Sequence, residues 1–170
     1  CAAGQYRRKP SVTPEEGDDD RTPKERFLAD ISNGGNVTMS GDISLDAPLT
    51  VNNNAVLQLG SNQITWSVSS ALFVVDGATL TLKSNSGTGQ ITNSKWGAQA
   101  VNGGKIIVEN GVYVTNKEGF RAVGSGSKIT MNGGTLRTQE TGLVASQGAT
   151  IEMNGGLIDT IDNFGIATNG

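Results

Sequence analysis

From residue 36 onward the chain repeats itself every 20 to 26 residues, and no other property restricts its fold as tightly. Six apolar-x-apolar triplets mark the repeat: Val37-Thr38-Met39, Leu57-Gln58-Leu59, Leu80-Thr81-Leu82, Ile106-Ile107-Val108, Ile129-Thr130-Met131 and Ile151-Glu152-Met153. A glycine stands just ahead of each of the last four (Gly77, Gly103, Gly126, Gly148). A second anchor recurs as Gly97-Ala98-Gln99-Ala100, Gly119-Phe120-Arg121-Ala122, Gly142-Leu143-Val144-Ala145 and Gly165-Ile166-Ala167-Thr168, spaced by 22, 23 and 23 residues. Between the anchors lie turns such as Asn132-Gly133-Gly134 and Asn154-Gly155-Gly156, each followed by a further short stretch, Thr135-Leu136-Arg137-Thr138 and Leu157-Ile158-Asp159-Thr160. Two independent anchors on one period define a structural unit.

Each unit reads as three short strands separated by Gly/Asn corners. Alternation places Ile129 and Met131 on one face of a strand and Thr130 on the other. A lone unit cannot bury its inward residues, whereas stacked units can, with successive coils ~4.8 Å apart like neighbouring strands of a sheet. Inward residues then form columns, Ala98-Phe120-Leu143-Ile166 and Ala100-Ala122-Ala145-Thr168. A narrow solenoid has a thin core, and the composition fits one: 24 Gly, 17 Thr, 15 Asn and 14 Ser against 5% aromatic residues. The expected fold class is all-β, a parallel β-helix solenoid of about six coils over residues 36–170.

The stretch from Ile31 to Gly170 resembles the right-handed parallel β-helices of the pectate-lyase-like superfamily. Within it, the likeness is greatest to the degenerate repeat regions of bacterial surface proteins and of phage fibre or spike proteins. Gly34-Gly35-Asn36-Val37-Thr38-Met39, Ala47-Pro48-Leu49-Thr50-Val51 and the Gly-x-x-Ile-x-Met-Asn-Gly-Gly units carry it, over about four fifths of the chain. A leucine-rich repeat is the rival, because Ile-x-Met-Asn mimics Leu-x-Leu-x-x-Asn. The paired upstream Leu is absent, and the Gly/Thr composition argues against a helical return.

The first 30 residues differ in kind. They hold 13 of the 29 charged residues and three of the four prolines, too little apolar surface to fold alone. Residues 1–22 read as an extended, charged linker or anchoring segment, with Arg7, Arg8 and Lys9 as its anchoring residues ahead of the acidic run Glu15 to Asp20. Residues 23–35 read as a helix and turn: Thr22 is an N-cap, Pro23 suits the first helical position, and Glu25 completes a capping box. Phe27, Leu28 and Ile31 supply its apolar stripe. Open β-helix ends expose unpaired strand edges, and this helix is placed to cover the N-terminal one. No such cap follows the last unit, so the coils are expected to continue beyond residue 170. The longest apolar run, Ala71 to Val75, is far short of the ~20 residues that cross a bilayer. Cys1 in first place matches a mature bacterial lipoprotein, but a Met trimmed before a small residue or the edge of a fragment is the default reading.

Chemistry is sparse. The chain has no His, which excludes Ser-His-Asp and Cys-His nucleophiles and His-ligated metals, and its single Cys excludes an internal disulfide. A net charge of −3 gives no electrostatic drive toward nucleic acid. The resemblance implies that an active β-helix lyase would carry a carboxylate cluster, often calcium-bound, with a basic residue on one outer face; the family's catalytic residues have no matching positions here. In the repeat alignment Glu140 falls over Lys117 and Asp159 over Arg137, pairs that neutralise a sheet face at ~0.2–1 kcal/mol each. Glu118, Glu140 and Asp162 recur in one corner of successive coils and are the calcium candidates. Trp66 and Trp96 are candidates for stacking on a sugar ring, or else cover a coil and a corner. Residues 47–75 carry no charge, which suits stacked coil or a face where subunits pack. No cofactor is expected.

These features lead to a non-enzymatic stalk or attachment module, fixed by its N-terminal segment to a larger assembly such as a phage virion and displayed at the virion surface. The resemblance implies a homotrimer with a carbohydrate receptor. Two rivals are a bacterial surface lipoprotein or adhesin at the outer cell surface, lipidated on Cys1, and a polysaccharide lyase or hydrolase whose catalytic face lies beyond residue 170.

Overall fold

The structure, a computed structural model, describes residues 19–67, 69–93 and 95–170; Cys1, Arg7, Arg8 and Lys9 lie outside them. The first element is helix α1, Pro23–Asn33. Its capping box closes as the sequence pattern requires. The Thr22 hydroxyl accepts from the Glu25 N–H at 3.2 Å, and the Glu25 carboxylate accepts from the Thr22 N–H at 2.8 Å. Gly34, at φ +79°, ends the helix and donates its N–H to the Asp30 carbonyl at 3.0 Å.

Among the described residues eighteen short strands follow, arranged as three parallel sheets of six. The first sheet contains Gly35–Thr38, Ala55–Gln58, Thr79–Lys83, Lys105–Val108, Lys128–Met131 and Thr150–Met153. The second contains Ile43–Leu45, Gln63–Trp66, Gly89–Asn93, Val112–Asn116, Thr135–Thr138 and Leu157–Thr160. The third contains Leu49–Val51, Phe73–Asp76, Ala98–Val101, Phe120–Val123, Leu143–Ser146 and Ile166–Asn169. The chain visits the three sheets in turn and then steps to the next coil. Over the described residues the protein is therefore an all-β parallel solenoid of about six turns with one short helix.

Register follows the repeat closely in the later coils. Ile106 pairs with Ile129 and Ile129 with Ile151 in the first sheet. In the third, Ala98 pairs with Phe120, Phe120 with Leu143 and Leu143 with Ile166. One step departs from the sequence alignment. Leu57 pairs with Leu82 rather than Leu80, and Leu80 pairs with Ala55. A slip of two residues preserves which side chains face inward, so the hydrophobic pattern cannot detect it. Polar contacts at the corners fix it instead: the Thr79 N–H donates to the Asn54 side chain at 2.9 Å, and the Asn85 N–H to the Gln58 side chain at 2.9 Å.

The inward residues form one continuous core, with Leu57, Leu80, Leu82, Ile106, Phe120, Ile129, Met131 and Leu143 all buried. Two families of glycine permit this stacking for different reasons. Gly77, Gly103, Gly126 and Gly148 adopt φ between +64° and +83°, where a Cβ is costly. Gly119, in the second anchor, is needed for close approach: a Cβ there would lie 2.0 Å from the Gly142 carbonyl oxygen. At the N-terminal end α1 covers the coils, burying Phe27 and Ile31 to 3% exposure and setting Phe27 edge-on to Phe73 at 6.4 Å. On the last coil Met153 and Ile166 are 41% and 44% exposed, although their register partners Met131 and Leu143 are fully buried.

Candidate functional site

The outer surface is built from residues that alternate with the core. In the second sheet Thr115, Arg137 and Asp159 are register neighbours on successive coils, each one residue before an inward or corner position. Beyond Asn116 and Thr138, both buried, the chain bends toward the third sheet and presents Lys117, Gln139 and Ile161. Between these two outward columns runs a groove of about 620 Å³ parallel to the solenoid axis, lined by Thr115, Lys117, Arg137, Gln139, Asp159 and Ile161 together with Asn116 and Thr138 at the bend.

Ion pairs on neighbouring surfaces follow one rule: the lysine of one coil meets the carboxylate of the next. Lys95 lies 2.9 Å from Glu118, Lys117 lies 3.2 Å from Glu140, and Lys128 meets Glu152. Hydrogen bonds from Lys128 and then from Asn154 hold the Glu152 carboxyl below the usual glutamate range. The stacked Asn-Gly-Gly turns extend this ladder. Asn154 donates to the Asn132 side-chain oxygen at 2.9 Å, and Asn132 to the Glu109 carboxylate at 3.1 Å. Arg137 and Asp159 keep the expected register but close no ion pair with each other. The expectation of neutralisation there is corrected. Both side chains are exposed, and a solvated pair gains too little to hold two flexible side chains together.

The predicted corner does form. The Glu140 N–H donates to the Lys117 carbonyl and the Asp162 N–H to the Gln139 carbonyl, which stacks these positions over Glu118. The carboxylates do not converge, since Glu118 and Glu140 are each taken by a lysine. Among the described residues no three His, Cys, Asp or Glu side chains are placed to hold a metal ion. Calcium takes about six to eight oxygens, more than this corner supplies. Trp66 and Trp96 are both buried, and the Trp66 indole N–H donates to the Ser70 carbonyl at 2.9 Å. They serve as the cover of a coil and of a corner, with little ring face left for a sugar. Sequence reasoning missed the groove itself. The available signal was that Arg137, Gln139 and Asp159, all polar, stand outward on two adjacent coils.

Fold and surface together define a parallel β-solenoid, which is a class of architecture. Comparison goes no further: no family model matches the chain, and no curated protein and no solved structure matches it. Among the described residues no helix is long and apolar enough to cross a membrane.

Proposed function

We propose that the protein is a non-enzymatic β-helical stalk or attachment module, held to a larger assembly by its N-terminal segment, with a phage fibre or spike as the specific form. The observation that carries this reading is the covered N-terminal end. With Phe27 and Ile31 buried on the first coils, α1 closes one end of the solenoid, and the exposed residues 19–22 lead into it there. That geometry suits a body tethered at one end and displayed along its length. The lysine-carboxylate ladder supports the non-enzymatic part. It commits Glu118 and Glu140, the acids best placed for calcium or proton transfer, to structural pairs.

The reading entails a homotrimer, a protein partner for residues 1–22 and a carbohydrate receptor. Cross-linking of Lys9 in the intact particle tests the anchor: links from Lys9 to a second particle protein are expected. A diacylglyceryl group on Cys1 in the mass spectrum would replace this reading with a surface lipoprotein. Light scattering should give three times the 17.6 kDa chain mass. Calcium-dependent cleavage of an acidic polysaccharide by the protein would overturn the non-enzymatic assignment.

A further inference from the structure

We infer that the groove between Arg137 and Gln139 binds a neutral oligosaccharide, with Arg137, Gln139 and Asp159 as its hydrogen-bonding residues. This rests on the attachment reading and assigns its carbohydrate receptor a site, in place of the buried Trp66 and Trp96. Three observations carry it. The groove, at about 620 Å³, lies within the ~300–1,000 Å³ range of ligand clefts. Lys117 pairs with Glu140 and the Thr138 hydroxyl donates to the Glu140 carbonyl at 3.0 Å, but the side chains of Arg137, Gln139 and Asp159 are uncommitted. On the surfaces around it lysines meet carboxylates and asparagines meet carboxylates, yet Arg137 and Asp159, on adjacent coils, take no side-chain partner. Finally, Ile161 stands 76% exposed at one side of the groove, an apolar surface beside the polar ones.

The ligand class follows from what these groups require. Arg137 only donates, the Asp159 carboxylate only accepts, and the Gln139 amide does both. A hydroxyl serves all three, because it donates and accepts. One free cation beside one free carboxylate gives the groove no net charge to hold a polyanion, and Lys117 is already engaged with Glu140. A ligand dense in hydroxyls, with C–H faces to lie against Ile161, meets the whole set. The register spacing of ~4.8 Å places these contacts on successive coils, so an extended chain of sugars running along the axis makes more of them than a single sugar.

The test uses the full chain, fluorescently labelled, on an array printed with neutral and acidic oligosaccharides. Retention on neutral oligosaccharides is expected, with Arg137→Ala and Asp159→Asn each weakening it roughly tenfold or more, as loss of a hydrogen bond to a charged group does. Lys83→Ala, an exposed residue on the first sheet, should leave binding unchanged, and thermal melts of all variants should match the parent because the substituted side chains are exposed. The inference is overturned if no glycan is retained, if both groove variants bind like the parent, or if only acidic glycans bind and Lys117→Ala rather than Asp159→Asn abolishes it. None of these outcomes bears on the Lys9 cross-links or the trimer mass, so the attachment reading stands or falls separately.

Discussion

Gly119 and Gly165 hold the same place in the repeat and would answer an added methyl group differently. A Cβ on Gly119 would meet the Gly142 carbonyl oxygen at 2.0 Å, whereas one on Gly165 finds its nearest neighbour, a flexible Ile158 methyl, at 3.6 Å. Gly119→Ala should therefore destabilise by about 1–3 kcal/mol, the range for overpacking a tight site, while Gly165→Ala should melt within a degree or two of the parent. Equal losses in the two variants would show that the motif, not the local approach, sets the requirement. Glu152 gives a pH prediction. Its folded pKa lies below its unfolded value because Lys128 and Asn154 bind the charged form. The contribution is thus present above the ordinary glutamate pKa and is lost as pH falls through the depressed folded value. Melts of Glu152→Gln beside the parent should differ at neutral pH and converge in acid; a gap that persists in acid would assign the effect to packing. At this scale the sequence was least legible. Trp66 and Trp96 suit a sugar platform and a buried cover equally well, and only their three-dimensional neighbours decide. Arg137 over Asp159 was readable as register, but whether two exposed side chains close depends on rotamers and solvation that no spacing encodes.

Elements were readable where local chemistry and the period agree. Thr22, Pro23 and Glu25 announced the start of α1, and Gly34 its end, because a capping box and a left-handed glycine are requirements of the helix itself. The first- and third-sheet strands of the last four coils were equally plain, since a glycine anchor stands ahead of each one, whereas neither anchor covers Gly89–Asn93 and Val112–Asn116 of the second sheet. The early coils were not: with only one recognisable anchor, Leu57 aligns as well with Leu80 as with its true partner Leu82. Parity fixes which face is buried, while the corner residues Asn54 and Gln58 fix the offset. Helix α1 has a task that its length alone would not support, because an isolated helix of 11 residues is marginal in water. Packing against the first coils holds it. Phe27→Ala removes the ring set against Phe73 and should cost about 3–5 kcal/mol, against ~1 kcal/mol for Thr22→Ala, which loses only the cap. Chemical denaturation measures both. If α1 is a cover for strand edges, Phe27→Ala should also self-associate under conditions where Thr22→Ala stays dispersed; light scattering of a monodisperse Phe27→Ala variant would argue that the edges need no cover.

The molecule as a whole is quasi-one-dimensional, each coil touching only its neighbours, so its stability is a sum of coil and interface terms. A side chain's contribution then depends on how completely the described coils enclose it. Met131 and Met153 show this most directly, being register partners at 0% and 41% exposure. Met131→Ala leaves a cavity in a closed core and should cost about 2–5 kcal/mol. Met153→Ala loses a half-exposed side chain and should cost under about 1 kcal/mol. Hydrogen exchange should be slow at the amides of Ile106 and Ile129, whose strands are paired on both sides. The groove spans three coils, with Thr115 and Lys117 on one, Arg137 and Gln139 on the next, and Asp159 and Ile161 on the third. A ligand bridging those coils binds the closed stack and not the opened one, so it must slow exchange in Leu157–Thr160 more than in Lys105–Val108. Equal protection of the two segments by a bound oligosaccharide would mean that the ligand does not bridge these coils.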